Sequence, residues 1–162
     1  MATQGHRGES PDVESRFPDA AGVEAAAAPL HLALSNTLDV LEPTRLAVNA
    51  YLAPEKLGEE ALYRVELVLE EILVNVIRHA FSDGEAHCID LTATVDADTV
   101  TLHFEDDGPA FDPRLAPEPA RPTTIADASP GGLGLILVSR AAKFIDYART
   151  EGHNRLTIGI AR

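Results

Sequence analysis

The sequence predicts an α+β domain, a two-layer α/β sandwich in which helices cover one face of a mixed, mostly antiparallel sheet. Three observations carry that expectation. The run from about Glu60 to Phe81 places apolar residues at helical spacing, and several short segments alternate apolar with polar residues at a period of two. The elements then fall in the order strand, helix, helix, strand, strand, long loop, helix, strand, strand, which suits an antiparallel or mixed sheet with its helices gathered on one side.

Met1 to about Ala28 mixes Gly, Pro, Ser, charges and an alanine run without apolar periodicity, so residues 1–28 are expected to be a disordered N-terminal tail and residues 29–162 the folded domain. Leu30, Leu32 and Leu34 alternate with His31 and Ala33 as a short strand. Pro43-Thr44 opens a helix that runs through Tyr51 and stops at Ala53-Pro54. The second helix ends in the turn residues Ser82-Asp83-Gly84, after which Ile89, Leu91, Ala93 and Val95 mark one side of a strand. Asp96-Ala97-Asp98 makes a hairpin turn into Val100, Leu102 and Phe104, and that strand ends in the charged corner Glu105-Asp106-Asp107-Gly108. From Pro109 to Pro130 there are six prolines and no sustained period, the pattern of a lid or binding segment. Gly131-Gly132-Leu133-Gly134 starts a helix through about Lys143. Phe144–Thr150 and Leu156–Ile160 form a closing hairpin around Glu151-Gly152-His153-Asn154.

Composition narrows the function classes. With 162 residues, 45% of them hydrophobic, the chain holds one domain and a tail. A formal net charge of −13, with no basic stripe to offset it, opposes direct binding to nucleic acid. The single cysteine, Cys88, cannot form an intramolecular disulfide, and no basic start is joined to an apolar run, so the chain reads as cytoplasmic. No apolar stretch approaches the roughly 18–20 residues of a membrane span. The histidines His87, His103 and His153, with Cys88, lack metal-ligand spacing.

The most informative pattern is Glu71, Asn75 and His79, four residues apart within LVLEEILVNVIRHAF. Steps of four keep side chains on one helical face, with Leu62, Val65, Leu69, Ile72, Leu73, Val76 and Ala80 as a stripe roughly opposite. An amide buried without partners costs about 2–7 kcal/mol, so such a row calls for a ligand or a metal. Glu70, about 100° away around the helix, cannot share that face. Glycines ahead of a helix let backbone N–H groups approach an anion at the positive end of the helix dipole. A strand directly before them, as a dinucleotide fold needs, and a Gly-Lys-Ser/Thr run, as a P-loop needs, are both missing.

Together these features resemble the histidine-kinase-like ATPase superfamily over roughly Leu30–Arg162. Glu71-x-x-x-Asn75-x-x-x-His79-Ala80 is similar to its N box, Asp106-Asp107-Gly108-Pro109-Ala110-Phe111-Asp112-Pro113 to its first glycine box, and Gly132-Leu133-Gly134-Leu135 to its second. Within it the chain looks most like the free-standing anti-sigma-factor serine/threonine kinases that phosphorylate STAS-domain antagonists. The resemblance implies a Bergerat-type ATP-binding fold, with ATP and Mg2+ as cofactors. It implies Glu71 as the general base toward a partner's hydroxyl, Asn75 as the Mg2+ ligand and Asp106 as acceptor for the adenine amine. Gly108 lets the backbone approach the base, and Phe111 packs near the base or lid. Gly132 and Gly134 offer N–H groups to phosphates, while Leu133 and Leu135 wall the pocket. Arg78 and His79 take supporting roles. The implied partners are a STAS-type antagonist and a sigma factor or other regulator, with a homodimer by family analogy and no membrane.

Two departures keep a second reading open. Ala110 follows Pro109 where many relatives have another glycine, and the lid carries only Arg114 and Arg121 as cations. The alternative is an ATP-dependent partner-binding module with little or no kinase activity.

Overall fold

The computed structural model describes residues 27–81, 83–115 and 132–162. Residues 1–26 of the expected tail, and most of the expected lid with Arg121 and Gly131, lie outside the described residues. The described chain runs β1 (Leu30–Ser35), α1 (Leu41–Leu52), α2 (Glu59–His79), β2 (Cys88–Val95), β3 (Thr99–Asp106), α3 (Gly132–Ala141), β4 (Phe144–Thr150) and β5 (His153–Ala161). The strands form a five-stranded sheet in the order β1-β2-β3-β5-β4, and each neighbouring pair is antiparallel.

Period-two alternation decides which face each strand buries. Ile89, Leu91, Ala93 and Val95 of β2, Val100, Leu102 and Phe104 of β3, and Leu156, Ile158 and Ile160 of β5 all point into one core. Val48 and Leu52 of α1, Val65, Val68, Leu69, Ile72 and Leu73 of α2, and Val138 of α3 complete it. Each Val, Leu, Ile or Phe side chain so removed from water stabilises the fold by about 1.5–3 kcal/mol. The opposite face is a polar ladder of cross-strand pairs. His31 Nδ1 lies 2.9 Å from Thr92 Oγ1, His103 Nδ1 lies 2.8 Å from Thr157 Oγ1, and Arg155 Nε donates to Glu105 at 3.1 Å. Among the described residues the helices therefore cover one face of the sheet, and the two layers are those expected from the sequence.

Element ends differ from the sequence reading in instructive places. α1 begins at Leu41, after a 3-10 turn at Leu38–Val40, so Pro43 sits within its first turn where its missing N–H costs no helical bond. β5 begins at His153, three residues before the expected Leu156, because Glu151 (φ 54°) and Gly152 (φ 87°) make a two-residue turn with both residues left-handed. That geometry matches the right-handed twist of the flanking strands and pairs Thr150 directly with His153. Asn154 thereby becomes a strand residue, opposite Asp106 in the register of β3 and β5.

Candidate functional site

The 21-residue α2 is set up by its ends: Glu59 and Glu60 lie in the first turn and Arg78 and His79 in the last, each favourable to the helix dipole. Its polar row occupies the shoulder of the core stripe rather than the opposite side. Asn75 is buried, and Asn75 and His79 border the same cleft as Ile72, Val76 and Ala80. The expectation of a row roughly opposite the stripe is corrected accordingly; Val68, fully buried and seven residues before Asn75, shares its side of the helix. Asn75 Nδ2 donates to the main-chain carbonyl of Glu71 at 2.7 Å. A carbonyl accepts only, so that bond fixes the amide orientation and leaves Oδ1 as the available end. Glu70 is exposed and borders a separate groove beside α1 with Arg45 and Glu66, which agrees with its rejection.

Across the cleft stands the end of β3. Asp106 is buried, and its Oδ1 accepts from the Gly108 N–H at 2.9 Å and from Asn154 Nδ2 at 2.9 Å. Asn154 Nδ2 also faces the carbonyl oxygens of Gly108 at 3.3 Å and Pro109 at 2.9 Å. Its Oδ1 accepts from Tyr147 Oη and from Arg149 Nη1, each at 2.7 Å. Arg149 Nη1 reaches the Gly108 carbonyl as well, at 2.9 Å. Glycine is required at 108 by close approach: a Cβ there would lie 2.7 Å from Ala80 Cβ and 2.9 Å from Asp106 Oδ1. Between helix and corner lies a cavity of about 140 Å3, bordered by Asn75, His79, Asp106, Phe111, Tyr147 and Asn154 among others. Phe104 and Leu156 supply its apolar floor.

The remaining expected residues fall in two groups. Gly134, in the first turn of α3, lies against Glu71, and a Cβ at 134 would collide with that carboxylate, ending 2.7 Å from Glu71 Cδ. The helix-row carboxylate and the second glycine box therefore meet in space. Gly132 is the first residue of α3. Arg78 and Leu133 are exposed, and Leu135 packs against the core; none of the three borders the cavity.

Comparison with known proteins bears on this arrangement. The Histidine kinase-like ATPase domain family matches residues 34–160. The chain belongs to that family. It is 36% identical over 96 residues to the serine/threonine-protein kinase BtrW of Bordetella bronchiseptica, a match covering 59% of this chain and 68% of that protein. In fold it is similar to the crystal structure of the RsbU and RsbW domains of Rv1364c from Mycobacterium tuberculosis, with a TM-score of 0.57 and 14% identity. That match covers 84% of this chain and 33% of the other, so the chain spans about a third of that longer protein.

Within this histidine kinase-like ATPase domain, Asn154, Tyr147 and Arg149 belong to the candidate site by position, and the sequence reading missed them. The available signal was the inward alternation of β5: counting back from Ile160, Ile158 and Leu156 by twos reaches Asn154, a polar residue at a core-facing position. Beside the corner, His87 stacks on Phe81 with ring centroids 4.2 Å apart and an interplanar angle of 16°. His87 Nε2 lies 2.9 Å from Asp83 and Nδ1 lies 3.1 Å from Asp107. The Asp83 hydrogen bond holds the imidazole above its ordinary pKa, with Asp107 adding to it and partial burial opposing. In the loop, Arg114 holds the Asp112 carboxyl below the usual range through Nε at 2.9 Å and Nη2 at 2.8 Å. Among the described residues no group of three acidic, histidine or cysteine side chains is placed to hold a metal. No described helix is long and apolar enough to cross a membrane.

Proposed function

We propose that the domain is an ATP-dependent serine/threonine-protein kinase of the anti-sigma-factor type, phosphorylating a STAS-type antagonist and sequestering a sigma factor in a partner switch. The observation that carries this reading is the shared cleft. Asn75, whose amide oxygen has no partner among the described residues, and the anchored carboxylate of Asp106 border one cavity, while Glu71 meets the first turn of α3 at Gly134. The name of the Bordetella relative supports the same chemistry.

The donor set suits Mg2+. Asn75 offers a hard amide oxygen, and with no acidic trio among the described residues the rest of the coordination sphere falls to phosphate oxygens and water, the usual pattern for this ion. When bound, Mg2+ neutralises charge developing on the transferring phosphoryl group. The chain's own residues then divide the work. Asp106 accepts from the exocyclic amine of adenine, Phe104 and Leu156 support the base, and Phe111 borders it from the loop. The N–H groups at the start of α3, including Gly132 and Gly134, face the phosphates with the positive end of the helix dipole. Glu71 takes the proton of the partner's serine or threonine hydroxyl as its oxygen bonds to the γ-phosphorus; the bond from that phosphorus to the β–γ bridging oxygen breaks, and ADP leaves with the electron pair.

One observation favours a second reading, in which nucleotide sets partner binding with little transfer. Arg114, one of the two expected lid cations, is tied to Asp112 by paired hydrogen bonds instead of standing free for a phosphate. Calorimetry with Mg-ATP, joined to radiolabel transfer onto a purified STAS-type antagonist, separates the two. Binding with transfer supports the kinase, binding without transfer the switch alone, and no binding removes both.

A further inference from the structure

We propose that Asn154 is the positioning residue that makes the cleft select adenine over guanine, by committing one oxygen of Asp106 and leaving the other as a fixed acceptor; the proposal rests on the nucleotide-binding reading above. Asp106 Oδ1 already takes two hydrogen bonds, from the Gly108 N–H and from Asn154 Nδ2. Among the described residues Oδ2 takes none, while the side chain borders the cavity. The outermost torsion of an aspartate is broad and twofold, so a carboxylate with no second donor can present either oxygen over a range of angles. Two donors on one oxygen remove that freedom.

The amide that does this is itself fixed by chemistry. Arginine has donors and no acceptor, so the Asn154 atom 2.7 Å from Arg149 Nη1 must be the oxygen. The nitrogen is then turned toward Asp106, Gly108 and Pro109, where three oxygens wait for it. Arg149 orients Asn154, Asn154 orients Asp106, and the free oxygen of Asp106 meets the base. A carboxylate accepts and does not donate. It matches the amine of adenine and opposes the carbonyl oxygen of guanine, and a site built for a donor rejects a ligand that lacks one.

A purely structural role for Asn154 would weaken all nucleotides alike. The test therefore compares ATP with purine riboside triphosphate, which lacks only the exocyclic amine, and with GTP, by calorimetry on the wild type, N154L and R149M. The wild type is expected to favour ATP over the amine-free analogue by about tenfold to hundredfold, the range of a hydrogen bond to a charged group. In N154L that ratio is expected to fall to within about threefold, with GTP discrimination falling in step. R149M changes an exposed side chain and carries the same test if N154L does not fold; its ratio is expected to lie between those of the wild type and N154L. An unchanged ratio in whichever variant folds overturns the proposal, even if both affinities drop. Failure of the wild type to bind any nucleotide overturns the kinase reading and this inference together. An amine preference that persists in the variants overturns this inference alone.

Discussion

The two walls of the cleft are built to different standards of constraint. On the sheet side, Asp106, Gly108, Tyr147, Arg149 and Asn154 form a closed network in which the main partners satisfy one another, 2.7–3.3 Å apart. On the helix side, Asn75 is pinned among the described residues through its nitrogen alone, His79 and Arg78 are exposed, and Glu71 rests against Gly134. The sheet wall is ordered by its own hydrogen bonds; the helix wall, on the proposed reading, presents atoms for a ligand and a partner to organise. Recognition of a base profits from preorganisation, because ordering it at the moment of binding would subtract from affinity. Transfer to a second protein needs an approach left open.

The sharpest way to break the contrast is Glu71→Gln. On the helix wall this should lower phosphoryl transfer by about 10²–10⁴-fold, the usual contribution of a general base, while calorimetry finds Mg-ATP affinity unchanged. Transfer at the wild-type rate would remove Glu71 from catalysis. On the sheet wall the mirror experiment is Asp106→Asn, expected to weaken ATP binding by about 10–100-fold through loss of a charge-assisted hydrogen bond and a disturbed network. An affinity equal to that of the wild type would show that the base does not sit at this corner.

Gly134→Ala refines the helix side. The new methyl must displace the Glu71 carboxylate, the flexible end of a side chain, so the domain should still fold and bind nucleotide. Transfer should fall about tenfold or more as the carboxylate is moved.

The smallest effect concerns the edge of the sheet corner. His87 has its pKa raised above the ordinary 6.5, chiefly by Asp83. A raised folded value stabilises the protein fully below about pH 6.5, and that contribution is lost as pH rises through the folded value. His87→Gln should therefore lower the melting temperature at about pH 6 and have a diminishing effect by about pH 8. A difference between wild type and variant that is independent of pH would show that the imidazole acts only by stacking on Phe81.

The helix wall was legible in the sequence and the sheet wall only half so, for a physical reason. Glu71, Asn75 and His79 lie within a little over two turns of one helix, so periodicity alone aligns them. Asp106 and Gly108 are neighbours on a strand end, visible as a local turn pattern. Asn154, by contrast, joins them across 48 positions of sequence and only through strand register. Glu-Gly is a weaker turn signal than Asn-Gly or Asp-Gly, so the expected turn ran on to Asn154 and hid the strand's first inward residue. His87 was missed as a cluster member likewise, since Asp83 lies one turn-like step away but Asp107 lies 20 residues on. The α2 boundaries, Glu59 to His79, fell within two residues of the reading because strong amphipathicity marks both ends.

Ala80 and Gly108 are among the smallest residues in the chain, and they touch where α2 ends and β3 turns outward. No long side chain acts as a spacer between the two walls at that point. The separation of the walls there is set by the Ala80 methyl and carbonyl lying against the Gly108 main chain, so it cannot be tuned by swapping rotamers. A bulkier residue at either position would wedge the walls apart and alter the span from the Asp106 carboxylate to the Asn75 oxygen, so that, on the proposed reading, a nucleotide held at one end would be out of step at the other.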